Sequence, residues 1–189
     1  DSPFIPSQFE LLPRVTSGLN ILWQMGYKLI IISNQPGVAK GHFTLDIFNQ
    51  IRERMLDIFH ENLISLTDDY YCLHHPEAIE EEYRRYCDHR KPEPGMLLEA
   101  ADDHDITLEE SWMIGDGVTD VIAGQRAGTN TAFIGKPKCY YCEKFTQLDR
   151  YPDIVSRSLE QVALLLREKE GIMLPAFAPP MSIPGGDIK

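Results

Sequence analysis

Tyr27-Lys28-Leu29-Ile30-Ile31-Ile32-Ser33-Asn34-Gln35-Pro36-Gly37 is a nearly continuous apolar, β-branched run closed by a polar turn. In a chain that alternates extended and helical patterns, such a run predicts a strand buried on both faces of a parallel sheet. On its N-terminal side, Val15, Leu19, Leu22 and Trp23 recur at helical spacing over 15–25, and Gly26 closes that helix. Residues 1–13, with Pro3, Pro6 and Pro13, read as irregular. On the C-terminal side, Thr44 is placed to cap a helix over 45–62 whose inward face carries Ile47, Phe48, Ile51, Met55, Ile58 and Phe59.

The alternation continues. A short strand is expected over 69–73, a helix over 96–104, and a strand over 111–114 that ends at Gly115-Asp116. A helix over 118–127 is closed by Gly128, and a further strand follows over 131–134. Ser158-x-x-Gln161 resembles a capping box for a last helix with Leu159, Val162, Leu165 and Leu166 inward. The pattern predicts one α/β domain over 1–170, a doubly wound parallel sheet. Residues 171–189 read as a Pro/Gly-rich tail, because four prolines and two glycines crowd the last sixteen positions. In such sheets a ligand sits beyond the carboxyl ends of the strands, so Ser33 and Asp116 are expected to face one crevice.

The 189 residues carry 29 acidic and 18 basic side chains, a net charge of −11. That balance argues against nucleic-acid or anionic-membrane partners, which need a basic face. It leaves room for a small anionic substrate held by a few focused cations. No apolar run approaches the ~20 residues needed to cross a bilayer. No basic-then-apolar leader opens the sequence, and two of the four cysteines sit in C-x-H pairs. Both features favour a reducing compartment, the cytoplasm; a monomer is expected.

Between Tyr70 and Gly95 lie Cys72-Leu73-His74 and Cys87-Asp88-His89, with Arg90-Lys91 directly behind. Two C-x-H pairs offer the four N/S ligands of a structural Zn²⁺, a filled set that leaves no position for water. His75 is a spare imidazole that competes with His74. Arg90-Lys91 pairs a bidentate phosphate grip with a point charge. Ser33, Asn34 and Gln35 offer a hydroxyl and two amides to a phosphate, or else simply form a turn. Asp116 and Asp120 suit Mg²⁺, which takes one or two carboxylates plus phosphate oxygens; helix N-capping by Asp116 is the equal alternative. Cys139-x-x-Cys142 reads as two thiols beside an aromatic cluster, with a four-cysteine zinc site as the weaker rival.

Three motifs in this order — SNQ after an apolar strand, then C-x-H…C-x-H-R-K-P-x-P-G-M, then GDGVTD — resemble the haloacid dehalogenase (HAD) phosphatase superfamily. Within it they most resemble the heptose bisphosphate phosphatase branch, whose near relative is the histidinol-phosphate phosphatase branch. The resemblance covers roughly residues 1–170. It implies that Ser33, Asn34 and Gln35 contact phosphate and substrate, and that Lys91 stabilises the nucleophile and the transferred phosphoryl group. It implies that Asp116 ligates Mg²⁺ with Asp120 in support, and that Arg90 meets the substrate's phosphate or sugar. Cys72, His74, Cys87 and His89 would then hold zinc. The implied activity is Mg²⁺-dependent hydrolysis of a small phosphorylated metabolite, a sugar phosphate of the D-glycero-D-manno-heptose 1,7-bisphosphate type. Histidinol phosphate and a catalytically inactive, zinc-stabilised binding module are the alternatives. The twelve residues between the C-x-H pairs favour the sugar.

The sequence departs from the branch at three places. His89 stands where the relatives usually have cysteine, and Gly117 where heptose phosphatases often carry lysine. The superfamily's D-x-D-G-T motif, whose first Asp attacks phosphorus and whose second moves the proton, occurs nowhere in the 189 residues. Its one D-x-D string is Asp103-His104-Asp105. The expectation is an N-terminally incomplete sequence whose first, central strand is absent and which is inactive as it stands.

Overall fold

A computed structural model of the chain describes residues 5–136 and 139–172. Helix α1 (Val15–Gln24) leads to β1 (Ile30–Asn34), α2 (Leu45–Glu61) to β2 (Asp68–Cys72), and α3 (Gly95–His104) to β3 (Trp112–Gly115). They are followed by α4 (Val118–Ala127), β4 (Asn130–Ile134), α5 (Cys139–Leu148), β5 (Ile154–Ser156) and α6 (Leu159–Lys169). Short 3₁₀ turns stand at Pro6–Gln8, Glu81–Tyr83 and Leu108–Glu110. The α/β alternation is therefore as expected, with two additions, α5 and β5, that periodicity did not reveal.

Every strand pairing is parallel, and the pairings fall into two half-sheets, β1–β2 and β3–β4–β5. β1 begins and ends later than expected. Ser33 and Asn34 are its last residues, opposite Tyr71 and Cys72, and the turn starts at Gln35. Its burial also departs from expectation, because Ile30, Ile31 and Ile32 are only half-buried. The cause is the gap between the half-sheets, a cavity of about 1030 Å³ lined by Ile30–Ile32 on one side and Trp112–Ile114 on the other.

The main core joins Leu22 of α1, Met55 and Phe59 of α2, and Val162, Ala163 and Leu166 of α6. Helices α3 and α4 pack against each other and against the strands of both half-sheets. Thr44 caps α2, its hydroxyl accepting from the Ile47 N–H at 3.3 Å. Ser158 caps α6 in the same way through the Gln161 N–H. The reciprocal half of that capping box differs from the sequence expectation. The Gln161 carbonyl oxygen accepts from the Ser156 hydroxyl and the Arg157 N–H, not from the cap residue itself.

Close approach of α1 to α6 depends on Gly18, where an added Cβ would lie 2.8 Å from the backbone of Leu159 and Glu160. Backbone cannot swing aside like a side chain, so Gly18→Val is expected to cost about 1–3 kcal/mol in urea unfolding. An unchanged midpoint would show that the helix pair tolerates separation. Among the described residues, no helix is long and apolar enough to cross a membrane. From Met173 on, the predicted tail lies outside the described residues.

Candidate active site and metal centre

The carboxyl ends of β1 and β3 bring together residues far apart in sequence. The side-chain amide of Asn34 clasps the backbone of Lys91: its Oδ1 accepts from the Lys91 N–H at 3.0 Å, and its Nδ2 donates to the Lys91 carbonyl at 2.9 Å. The Lys91 ammonium then donates to the Ile32 carbonyl at 2.7 Å and pairs with Asp120 Oδ1 at 2.7 Å. Both side chains of that ion pair are only 10% exposed. Lys91 thus spans from the β1 edge to the start of α4. The Lys91–Pro92 peptide bond is cis.

Asp120 occupies the third position of α4, where its Oδ2 accepts from the Gly117 N–H at 2.9 Å. The cap position is Gly117, so Asp116 does not cap the helix and stands exposed at the strand end. That removes the capping alternative for Asp116 and leaves an oxygen donor suited to a hard cation. The Ser33 hydroxyl accepts from the Gln35 side-chain amide at 3.1 Å, which leaves its own proton to donate. Arg90 donates one guanidinium N–H to the His74 carbonyl at 2.8 Å.

The arm carrying Arg90 and Lys91 is fixed at both ends. Before it, the Arg90 N–H closes a turn onto the Cys87 carbonyl at 2.9 Å. After it, Arg126 of α4 binds Glu93 at 2.5 Å and the Pro92 carbonyl at 3.1 Å. Gly95 lies against the same turn, with an added Cβ 2.5 Å from the Asp88 carbonyl oxygen. Nothing in the sequence marked Arg126 or Glu93 for this task, because surface ion pairs carry no local signature.

Cys72, His74 and Cys87 present donor atoms within 4.8 Å of one another. Cys72 Sγ lies 3.8 Å from His74 Nδ1. Two thiols and an imidazole so placed fit a soft, tetrahedral divalent ion, whose ligands sit about 2.0–2.3 Å from the metal. His89, expected as the fourth ligand, is outside this group, and its Nε2 lies 3.2 Å from Glu99 on α3. His75 is also outside this group, and its Nδ1 accepts from the Glu77 N–H at 3.0 Å. Burial pushes the Cys72 thiol up to about 11, with Cys87 adding to the effect. Burial and the nearby Arg85 hold His74 below the usual imidazole range.

Backbone and side-chain bonds lock the loop around the trio. The His75 N–H donates to the Tyr83 carbonyl at 3.0 Å, and Arg84 donates to the Ala78 and Ile79 carbonyls. The Ile79 N–H reaches the Ala39 carbonyl at 2.8 Å, joining this loop to the turn after β1. Cys142 is exposed on α5 and has no place in the cysteine–histidine group among the described residues.

The HAD-hydrolase-like family model matches residues 89–162. D-glycero-β-D-manno-heptose-1,7-bisphosphate 7-phosphatase of Photorhabdus laumondii is 39% identical over 132 residues, 68% of this chain and 70% of its own length. The enzyme of that name from Pasteurella multocida is 41% identical over 133 residues, 69% of this chain and 72% of its own. Among solved structures, D,D-heptose 1,7-bisphosphate phosphatase of B. bronchiseptica in complex with magnesium and phosphate superposes with a TM-score of 0.73. That match covers 87% of this chain and 88% of the other at 24% identity, and so speaks for the fold.

Proposed function

This chain belongs to the HAD-like hydrolases, in the family of the heptose bisphosphate phosphatases, and on that premise we propose that its site is that of a Mg²⁺-dependent phosphomonoesterase. The substrate is a small sugar phosphate of the D-glycero-D-manno-heptose 1,7-bisphosphate type. One observation carries this reading: a nearly buried ammonium, Lys91, held at the carboxyl edge of the sheet between Ile32 and Asp120. Such a cation, preorganised by its own backbone clasp to Asn34, is suited to stabilise the charge that develops on a transferring phosphoryl group. The Ser33 hydroxyl donates to a phosphoryl oxygen. Arg90, with donors left beyond its bond to His74, meets the sugar or its second phosphate. Asp116 would hold Mg²⁺, which supplies charge neutralisation to the phosphoryl oxygens when bound. Asp120 supports that site by orienting Lys91.

The 189 residues contain no D-x-D-G-T string, so none of them is assigned the role of the attacking carboxylate. Purified by itself, the chain is therefore expected to release no phosphate with Mg²⁺ above a Lys91→Ala control. Turnover above that control would place the attacking group within the chain. On the completed protein, a side-by-side assay should favour heptose 1,7-bisphosphate over histidinol phosphate; the reverse preference would refute the sugar assignment.

The Cys72–His74–Cys87 group takes a structural Zn²⁺ that staples the loop over 70–95, about one zinc per chain. Cys72 stays protonated at neutral pH because its thiol is pushed up to about 11. Metal binding must expel that proton, so affinity is expected to rise with pH, about tenfold per unit for each proton released. Competition with a chromogenic chelator between pH 6 and 8 measures it, and a flat profile would contradict the assignment of Cys72.

A further inference from the structure

We propose that Cys72 and Cys87 are a site of reversible oxidative modification, closing a disulfide with each other when a peroxide reaches them. The loop over 70–95 then has two alternative staples, a metal ion or a covalent bond, and the two exclude each other. The cross-link stands on the placement of the thiols; the loss of metal rests on the zinc reading above.

The two sulfurs are brought together by elements fixed separately. Cys72 ends β2, opposite Asn34, and its carbonyl accepts from the Gln35 N–H at 2.8 Å. Cys87 lies at a turn, closed by the Arg90 N–H onto its carbonyl at 2.9 Å. The residues are fifteen positions apart, yet their Sγ atoms lie within 4.8 Å of each other. A disulfide needs about 2.05 Å between sulfurs. Cys87 belongs to neither helix nor strand, and a rotamer change there supplies a movement of the order required.

The group leaves no choice of partner. It holds two sulfurs and one imidazole, and Cys142 stands exposed on α5 outside it. Burial gives the pair a direction. Cys72 is 2% exposed and Cys87 is partly exposed, so the oxidant meets Cys87 first. The Cys87 thiol gives its proton to solvent and its sulfur attacks one peroxide oxygen. The O–O bond breaks, leaving a sulfenic acid and a hydroxide that takes up a proton. The Cys72 sulfur then attacks the sulfenic sulfur, the S–O bond breaks, and a second water leaves with the Cys72 proton. Two thiols lose two electrons and one peroxide becomes two waters. Burial holds the Cys72 proton on at neutral pH. The second step is therefore the slower one, and it quickens as pH rises.

The bond spends both sulfur donors and leaves His74 alone, too few ligands for a soft ion. The anchor survives, because the bond ties the Cys87 turn to the end of β2, directly before Arg90 and Lys91. Oxidation is expected to free the metal while keeping the loop closed.

The test uses the full chain carrying Cys139→Ser and Cys142→Ser and loaded with zinc, so that two thiols remain. Hydrogen peroxide is added. A chromogenic chelator reports zinc release, peptide mass spectrometry the cross-link, and limited proteolysis between Glu80 and Tyr86 the state of the loop. One zinc should be lost per Cys72–Cys87 disulfide formed, and dithiothreitol should restore zinc binding. In chelator, the oxidised chain should be cut at least about tenfold more slowly than the reduced chain, because the cross-link constrains the loop. Cys87→Ser should form no cross-link and should stay chelator-sensitive in peroxide. A treated chain that keeps both thiols, links two chains together, or stops at sulfinic acid on Cys87 overturns the proposal. Equal cutting of oxidised and reduced chains in chelator overturns it too. Cross-linking in a chain that never takes up zinc would support the site and sink the zinc reading instead.

Discussion

Replacing Lys91 with Ala is expected to be the most damaging single change on the sheet edge, in two separable ways. The first is stability. Lys91 and Asp120 are each only 10% exposed. Removing one member of a buried pair leaves the other as an uncompensated charge, a loss of about 3–5 kcal/mol. The Lys91→Ala/Asp120→Ala double variant should recover much of it, because the stranded carboxylate is gone. The second is activity. In the chain extended at its N-terminus by an apolar segment ending in D-x-D-G-T, loss of the preorganised cation should lower kcat by about 10²–10³, and the double variant should not regain it. Urea unfolding and phosphate release, measured on both variants, separate the effects. A double variant that recovers activity along with stability would reduce Lys91 to a structural tie.

The second large effect concerns Cys72, which is 2% exposed at the end of β2. Cys72→Ala is expected to abolish metal binding and release the loop over 70–95 from the sheet. With free zinc about a thousandfold above its Kd, the stabilisation lost is about 4 kcal/mol. Metal analysis, thermal unfolding with and without chelator, and limited proteolysis between Glu80 and Tyr86 follow it. His89→Ala is the informative companion. Because His89 faces Glu99 and not the trio, it should weaken metal binding without abolishing it. Metal loss as complete as in Cys72→Ala would show that His89 turns onto the ion as a fourth ligand.

The sequence read well where one local rule decided the outcome. Thr44 and Ser158 announced the helix starts they cap. The Ile30–Ile32 run announced a strand, and its neighbours placed Ser33 and Asp116 at strand ends. It read poorly where the decisive partner is distant. Asn34 looked like a phosphate ligand in a turn, whereas it is the last residue of β1 and grips Lys91. Asp116 and Asp120 looked like a pair, yet one is exposed and the other buried against Lys91. His89 had the spacing of a ligand, but its ring lies outside the Cys72–His74–Cys87 group, 3.2 Å from Glu99 on α3. Helix α5 was hidden behind the C-x-x-C reading, and β5, three residues long, is too short to show a period.

The most direct measurement combines these parts. The chain extended at its N-terminus by an apolar segment ending in D-x-D-G-T is mixed with heptose 1,7-bisphosphate, and phosphate release is followed with Mg²⁺ and with chelator. The predicted result is Mg²⁺-dependent release that disappears with Lys91→Ala and with Asp116→Ala. No release from the folded protein, or release unchanged in Lys91→Ala, would contradict the account.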